Sequence, residues 1–198
     1  MSNVRSGAGR ALCVALLLGF AASQSSAQES AKTQAAGQSV PEATPAANPA
    51  DVSSPDALIS AMYDVISGPA TQKRDWNRFR SLFIPGARLI PADRAKDGSY
   101  SVRPLSPDEF VQAAEPYFAQ SGFYERESAR KAERYGNIMQ IFSTYESRHD
   151  AKDAEPFARG INSIQFFYDG KRWWIVTIYW QAETPDNPLP KEFSPKPR

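Results

Sequence analysis

Hydrophobic residues recur along the chain with two different periods, and the change of period separates predicted helices from predicted strands. Three short segments in the first half of the domain have apolar residues at helical spacing. The first follows Ser54-Pro55-Asp56, an N-cap with proline at the first helical position, and ends at Gly68-Pro69. The third begins at Ser106, which can form a capping box with Glu109. The pattern therefore predicts three helices.

Each predicted helix has one apolar stripe that faces the core. The second helix ends before Pro85-Gly86, and Pro116 ends or kinks the last turn of the third. The stripes consist of Leu58, Ile59, Met62, Val65 and Ile66 in the first helix, Trp76, Phe79, Leu82 and Phe83 in the second, and Phe110, Ala114, Tyr117 and Phe118 in the third.

A period of two predicts strands in most of the remaining domain. Ala87–Pro91 is a short strand, followed by a loop or loose hairpin. The segments "NIMQIFSTYESRH" and "RGINSIQFFY" are rich in β-branched and aromatic residues, and Asp169-Gly170 predicts a type I′ turn into a final strand that ends at Gln181. The preceding segment, "FYERESARKAERYG", has the composition of a helix, including the i,i+4 pair Glu127–Lys131.

A two-residue turn would fix the register of the last two strands. Tyr168 would pair with Lys171, and Phe166 with Trp173. One face would then hold Asn162, Ile164, Phe166, Trp173, Ile175, Thr177 and Tyr179, and the other Ile161, Ser163, Gln165, Phe167, Trp174, Val176, Ile178 and Trp180. Since neither face is polar, both must be covered, one by the helices and the other by something else.

The N-terminus has the pattern of a secretory signal peptide. Arg5 and Arg10 precede an apolar run of about a dozen residues, shorter than the roughly 20 that span a bilayer, and Ser25-x-Ala27 is the expected cleavage site. A membrane anchor is the less favoured alternative. We therefore expect a signal peptide at 1–27, a disordered Ala/Gln/Ser/Thr/Pro linker at 28–53, one domain at 54–182 and a proline-rich tail at 183–198, in a periplasmic or secreted protein.

Composition excludes several kinds of chemistry. The chain has 23 basic and 22 acidic residues, so it does not favour nucleic acid or an anionic membrane as a partner. The single cysteine, Cys13, lies within the predicted signal peptide, and the single histidine, His149, is expected at a surface turn. A metal site, a Ser-His-Asp triad and a phosphate-binding glycine loop are therefore not expected, and no cofactor is predicted.

No carboxylate is marked by its neighbours as a catalytic base. Asp64 and Glu146 each follow a tyrosine, and both are expected to be exposed. The basic residues Arg126, Arg130, Lys131 and Arg134 alternate with Glu125, Glu127 and Glu133, so this segment is interpreted as a solvated face with cancelling charges.

The order of elements resembles a known superfamily. Two amphipathic helices lead into "W..F..LF.PGA", followed by a strand, a capped helix and "GF.ER", and the chain continues with "G.I.QIFSTYESR" and "GINSIQFFYDGKRWWIV". This is similar to the nuclear transport factor 2-like superfamily, which includes SnoaL-like and ketosteroid isomerase-like proteins, in an exported bacterial form. The resemblance covers about 55–181. It implies an α+β fold, with three helices packed on a curved, mainly antiparallel, cone-shaped sheet, and a strand at "FYERESARKAERYG".

The resemblance and the predicted faces together suggest a ligand pocket and a dimer contact. The pocket candidates are Tyr63, Trp76, Tyr117, Asn162, Thr177 and Tyr179. The expected homodimer contact consists of Ile161, Phe167, Trp174, Val176, Ile178 and Trp180. Two functions remain open. The favoured one is a non-catalytic module that binds a small apolar ligand or a protein partner, and the alternative is an isomerase, cyclase or hydratase that uses a buried carboxylate.

Overall fold

A computed structural model describes residues 44–95 and 97–194. The predicted α+β class is confirmed: three helices pack on one six-stranded, mainly antiparallel sheet. The predicted signal peptide and most of the predicted linker lie outside the described residues. The helices are α1 (Pro55–Ile66), α2 (Trp76–Ser81) and α3 (Pro107–Gln120), and the strands are β1 (Phe83–Arg94), β2 (Tyr100–Val102), β3 (Tyr124–Tyr135), β4 (Ile138–Arg148), β5 (Ala158–Tyr168) and β6 (Trp173–Ala182).

The sheet order is β2-β1-β6-β5-β4-β3, so its two edges are β2 and β3. Only β1 and β6 run parallel among these neighbours, because the chain crosses from the β1–β2 hairpin through α3 to β3 and returns by three antiparallel steps. The helices cover one side of the sheet, here called the core face, and the opposite side is called the outer face. The core includes Leu58, Ile59, Phe79, Phe83, Ile141, Ile164, Phe166 and Ile175, all fully buried.

The predicted helix caps are confirmed. The Oγ of Ser54 accepts a hydrogen bond from the amide of Ala57 at 3.1 Å, which starts α1. Ser106 and Glu109 form the expected reciprocal capping box at the start of α3. Pro116 does not end α3, which continues to Gln120.

The boundary between α2 and β1 differs from the prediction. Phe83 was expected on the apolar stripe of the second helix, but it begins β1 and pairs with Ile175 of β6. The ring stays in the core, where it packs 4.8 Å from Phe79. A buried Phe83 is compatible with either a helix or a strand at this position, so burial does not distinguish the two. The pairing of Phe83 with Ile175 does.

The strand assignment of "FYERESARKAERYG" is confirmed. Tyr124–Tyr135 forms β3 and pairs with β4 along its length, with a register shift between Glu127 and Ala129. Pairing with β4 overrides the helical propensity of the Ala, Glu, Arg and Lys residues, which in isolation is worth only tenths of a kcal/mol per residue.

The predicted register of the β5–β6 hairpin is wrong in two places. Tyr168 pairs with Trp173 rather than Lys171, so the connection has four residues. The Asp169 carboxylate holds this loop: Oδ1 accepts from the amides of Lys171 and Arg172 at 2.7 and 2.8 Å, and Oδ2 accepts from the indole of Trp174 at 2.7 Å. A bulge then inserts Val176 between the pairs Phe166–Ile175 and Gln165–Thr177.

The bulge reverses the facing of every later residue in β6. Ile178 lies opposite Ile164 on the core face, and Trp180 lies opposite Asn162. Thr177 and Tyr179 therefore point to the outer face, and the predicted facing of these four β6 residues is wrong. The bulge coincides with an irregularity in the neighbouring strand between Phe83 and Arg88, where Gly86 has a φ of +83°.

The rest of the predicted outer face has the expected orientation. Ile161 and Phe167 of β5 and Trp174 and Val176 of β6 alternate with buried core residues. Only Ile178 and Trp180 must be removed from the predicted dimer contact, because Ile178 is buried and Trp180 packs against Phe110 of α3.

The packed domain is longer than predicted at its N-terminal end. A 3-10 turn, Pro49–Val52, precedes α1, and within it Val52 is buried while Asp51 forms a salt bridge with Arg78 at 2.8 Å. These residues were expected in the linker that ends at 53. A buried valine and a paired aspartate tie these residues to the helices.

The tail continues from β6 onto the outer face. A second 3-10 turn, Lys191–Phe193, lies against β3 and β4. The Phe193 carbonyl accepts a hydrogen bond from Thr144 Oγ1 at 2.6 Å, and its ring packs 5.6 Å from Phe142 and under Lys131. The tail therefore covers part of the face that the sequence left uncovered.

Candidate functional site

A polar group lies on the core face of the sheet, beside the apolar core. Glu125 of β3 is at its centre, and we call this group the Glu125 cluster. Its other members are Tyr63 of α1, Ser143, Tyr145 and Ser147 of β4, and Asn162 of β5. The five partners of Glu125 are all buried, while Glu125 itself remains partly accessible. A half-buried residue whose carboxylate is set among buried polar side chains is a candidate for contact with a ligand.

Strand register brings these side chains together. Glu125 lies opposite Ser147, and Ser143 lies opposite Asn162, so all of them project from the same face. Tyr63 reaches this face from α1, because positions 59, 62, 63 and 66 of that helix form the buried stripe that packs on the sheet.

Hydrogen bonds connect the members of the cluster. Ser147 Oγ donates to Glu125 Oε2 at 2.8 Å. The Tyr63 hydroxyl lies 2.8 Å from Ser143 Oγ and accepts from Asn162 Nδ2 at 3.0 Å. The Asn162 side chain also lies near the Glu125 carboxylate and lowers its pKa. Asn162 is therefore a neighbour of both the carboxylate and the phenol.

The backbone of Glu125 also makes a hydrogen bond, which joins it to the end of α1. Ser67, at the C-terminal end of α1, accepts a hydrogen bond from the Glu125 amide at 3.0 Å through its hydroxyl oxygen. The same hydroxyl lies 2.6 Å from the Tyr63 carbonyl and donates to it. The end of α1 thus fixes Glu125 and Tyr63 relative to each other.

Gly160 makes room for Tyr145. A Cβ atom at position 160 would lie 2.5 Å from the Tyr145 hydroxyl and 2.3 Å from the Gln181 carbonyl. The missing side chain lets the phenol of Tyr145 lie directly over β5, beside the cluster.

Burial governs the titration of the cluster. It raises the pKa of Glu125 to about 7, against the opposing effect of the hydrogen bonds from Ser147 and Asn162. Burial, together with the nearby Glu125 charge, also raises the pKa of Tyr63 and of Tyr145. At neutral pH the two phenols are therefore protonated, and the carboxyl group exchanges its proton readily.

Glu127, two residues along the same face, has a different environment. Its Oε2 accepts from Arg130 Nε at 2.8 Å, and Arg130 is also paired with Asp56. Its Oε1 is buried and has no hydrogen-bond partner among the described residues. By contrast, no arginine or lysine within 44–95 and 97–194 forms a salt bridge with Glu125. Glu125 is therefore the core-facing carboxylate whose charge is uncompensated.

The structure brings together only two of the six predicted pocket residues. Tyr63 and Asn162 belong to the Glu125 cluster. Trp76 packs on Phe118 and donates its indole N–H to Glu115 at 3.3 Å, and Tyr117 is partly exposed on α3. Thr177 and Tyr179 lie on the outer face, because the bulge at Val176 reverses the facing of the later residues of β6.

The sequence interpretation missed the other four members of the cluster, which are Glu125, Ser143, Tyr145 and Ser147. Glu125 was grouped with the solvated charges of β3, although strand alternation places Glu125 and Glu127 on one face and Arg126 on the other. Alternation was the signal that could have found Glu125, since the segment had already been assigned to a strand.

The three other polar candidates fall outside the cluster. Asp64 is exposed, as predicted, and pairs with Arg78. Glu146 was also expected to be exposed, but its side chain is mostly buried on the outer face between Arg126 and Arg148. Burial alone would raise its pKa, and the hydrogen bonds from Arg126 together with the salt bridge to Arg148 lower it overall. His149 is exposed at the end of β4, as predicted, and stacks on Phe157 at 4.1 Å.

Two other features are absent from the part of the chain that the structure describes. No group of three His, Cys, Asp or Glu side chains there could hold a metal ion. No helix in the same part of the chain is long and apolar enough to cross a membrane.

Comparison with solved structures gives distant neighbours. One is a protein of unknown function with a cystatin-like fold from Nostoc punctiforme, at 12% identity, a TM-score of 0.49, and 67% of this chain and 90% of that chain covered. Another is a protein of unknown function from Pseudomonas putida, at 12% identity, a TM-score of 0.48, and 72% of this chain and 93% of that chain covered. A third is a protein of unknown function from Silicibacter pomeroyi, at 16% identity, a TM-score of 0.45, and 65% of this chain and 92% of that chain covered. These last two are nuclear transport factor 2-like proteins.

No protein-family model and no curated protein matches the sequence. The likeness concerns the arrangement of helices and strands, and function must be argued from the cluster itself.

Proposed function

We propose that this protein is an enzyme that moves a proton between carbon atoms of a small, largely apolar substrate, with Glu125 as the base. The observation that carries the proposal is a core-facing carboxylate, uncompensated by any described cation, whose burial raises its pKa to about 7. A general base is most effective when its pKa lies near the working pH. This favours the catalytic alternative over the non-catalytic binding module.

The chemistry follows from the atoms around the carboxylate. The ionised Glu125 removes a proton from a carbon next to a carbonyl group, the C–H electron pair forms the enolate, and the resulting carboxylic acid returns the proton to another carbon of the substrate. The product is an isomer, so no oxidant, reductant or second substrate is needed.

The hydroxyl and amide groups of the cluster have a supporting role. Tyr63 stays protonated at neutral pH because burial raises its pKa, and Asn162 donates to its oxygen. A phenol whose oxygen receives a hydrogen bond is a better donor to an enolate oxygen. We assign Asn162 as a positioning residue, since it hydrogen-bonds Tyr63 and lies near enough to Glu125 to lower the pKa of that carboxyl group.

A probe reaction tests the base without knowledge of the natural substrate. 5-Nitrobenzisoxazole opens to a coloured cyanophenolate when a base removes one C–H proton. We expect the wild-type protein to accelerate this reaction with a rate that rises through pH 7, and Glu125→Gln to lower the rate at least 100-fold. Glu133→Gln, an exposed carboxylate on the outer side of β3, is the matched control and should keep the wild-type rate.

Three outcomes of this experiment count against the proposal. The first is a wild-type rate no higher than that of free acetate at equal concentration. The second is a rate that Glu125→Gln leaves unchanged while its circular dichroism spectrum is native. The third is an equal loss in Glu125→Gln and Glu133→Gln.

We also propose that two copies associate through the outer face near the β3–β4 turn. Exposed apolar side chains concentrate there, including Ile138 at 58% and Phe167 at 38% exposure, around a groove of about 550 Å³ that Ile84 and Val176 also line. The tail covers Phe142 and Thr144 farther along the sheet. The proposed contact between copies therefore includes less of the outer face than the sequence predicted.

A further inference from the structure

A second cavity lies on the outer face, at the opposite edge of the sheet from the β3 edge. Its volume is about 530 Å³. Two tyrosines and several planar polar side chains surround it, and it is made by β2, β1, β6 and the start of the tail. Its lining consists of Ala92, Tyr100, Ser101, Val102, Tyr179, Gln181, Asp186 and Asn187.

Strand register explains why a depression forms here. Ala92 of β1 lies between Val102 of β2 and Gln181 of β6, so a methyl group stands where its neighbours carry larger side chains. Tyr179, two residues before Gln181, faces the same way, because the β6 bulge turned it outward. Tyr100, two residues before Val102, closes the opposite side.

The tail forms one rigid wall of the cavity. Thr184 and Asn187 exchange two backbone hydrogen bonds, at 3.0 and 3.2 Å, which close a tight turn immediately after β6. Arg94 of β1 then binds Asp186 of this turn at 2.7 Å. Asn187 is thereby held over the sheet, and the charges of Arg94 and Asp186 compensate each other.

We propose that this cavity binds a neutral saccharide of one or two rings. Sugar rings have apolar C–H faces that stack on aromatic rings and hydroxyl groups that exchange paired hydrogen bonds with planar amides and carboxylates. Tyr100 and Tyr179 supply exposed aromatic rings, at 60% and 44% exposure, and Gln181, Asn187 and Asp186 supply the planar polar groups.

The size and the charge of the cavity support this choice. Tyr100 pairs with Arg94 of β1, and Tyr179 pairs with Ile90 of the same strand. The two tyrosines are therefore two strand spacings apart across the sheet and four residues apart along it, which places their Cα atoms on the order of 15 Å apart. That span suits one or two sugar rings between them. Since Arg94 already neutralises Asp186, the lining carries no uncompensated charge that would select an anion or a cation.

The saccharide cavity is independent of the Glu125 cluster. Tyr179 and Gln181 are on the outer face, while Glu125, Tyr63 and Asn162 are on the core face of the same sheet. The two proposals can therefore fail separately, and Glu125→Gln is expected to bind saccharide like the wild-type protein.

The test is a titration of ¹³C-tyrosine-labelled full-length protein with cellobiose, maltose and chitobiose, followed by NMR. We expect at least one of the three to shift the Tyr100 and Tyr179 signals with a saturating curve in the millimolar range. Tyr179→Ala should weaken that binding about tenfold or more, because it removes the stacking ring. Tyr135→Ala, which removes an exposed tyrosine at the far end of the sheet, is the matched control and should bind normally.

The proposal is overturned if none of the three sugars shifts either tyrosine up to 50 mM. It is also overturned if Tyr179→Ala and Tyr135→Ala bind equally well. Native spectra of both variants in the absence of sugar establish that the comparison concerns binding rather than folding.

Discussion

At the scale of single residues, the environment of Glu125 makes the stability of the protein depend on pH. The pKa of Glu125 is about 7 in the folded protein and near its ordinary value of 4.5 in the unfolded chain, so between these values only the folded state keeps the proton. Stability therefore falls as the pH rises from 4.5 to 7. The loss reaches at most about 3 to 4 kcal/mol, at about 1.4 kcal/mol for each pKa unit.

Urea unfolding of wild-type and Glu125→Gln proteins at several pH values between 4.5 and 8 measures this effect. We expect the difference in unfolding free energy, variant minus wild type, to grow steadily toward high pH, because glutamine has no charge to desolvate. A difference that stays constant across this range would mean that Glu125 titrates normally in the fold.

At the scale of elements, the sequence predicted the helices better than the strand faces. Ser54 and Ser106 are local signals, and the caps they predict depend on no distant residue. The facing of Thr177 and Tyr179 depended on a turn type and on unbroken pairing along the whole hairpin. Asp169 replaced the expected turn with a four-residue loop, and the Val176 bulge then reversed the strand.

The Glu125 cluster shows the same distinction between local and tertiary information. Tyr63 and Asn162 were predicted because their spacing placed them on apolar faces. Glu125 was not, because its neighbours Arg126 and Glu127 made the segment appear solvated. Composition describes a strand as a whole, whereas function depends on which alternate residues face the core.

At the scale of the whole molecule, we propose that copies associate through the outer face. The tail shields its middle through Phe193, and the apolar groove beside Phe167 and Ile138 remains open. We expect the wild-type protein to sediment as a dimer at micromolar concentration, and Phe167→Asp to sediment as a monomer, because a charge at that contact would lose its water.

Analytical ultracentrifugation of both proteins gives the comparison, and Tyr179→Asp at the other edge of the same face is the control that should remain dimeric. A wild-type protein that is monomeric at 50 µM would contradict this contact. Dissociation by both aspartate variants alike would place the contact elsewhere on the sheet.

The central claim is that Glu125 is a base tuned to neutral pH by burial. The most direct measurement is a ¹³C NMR titration of the glutamate side-chain carboxyl groups, with the Glu125 signal assigned by its loss in Glu125→Gln. The account predicts a midpoint near pH 7 for that signal. A midpoint at or below its ordinary value of 4.5 would contradict the account, since such a carboxylate would be a weak base at neutral pH.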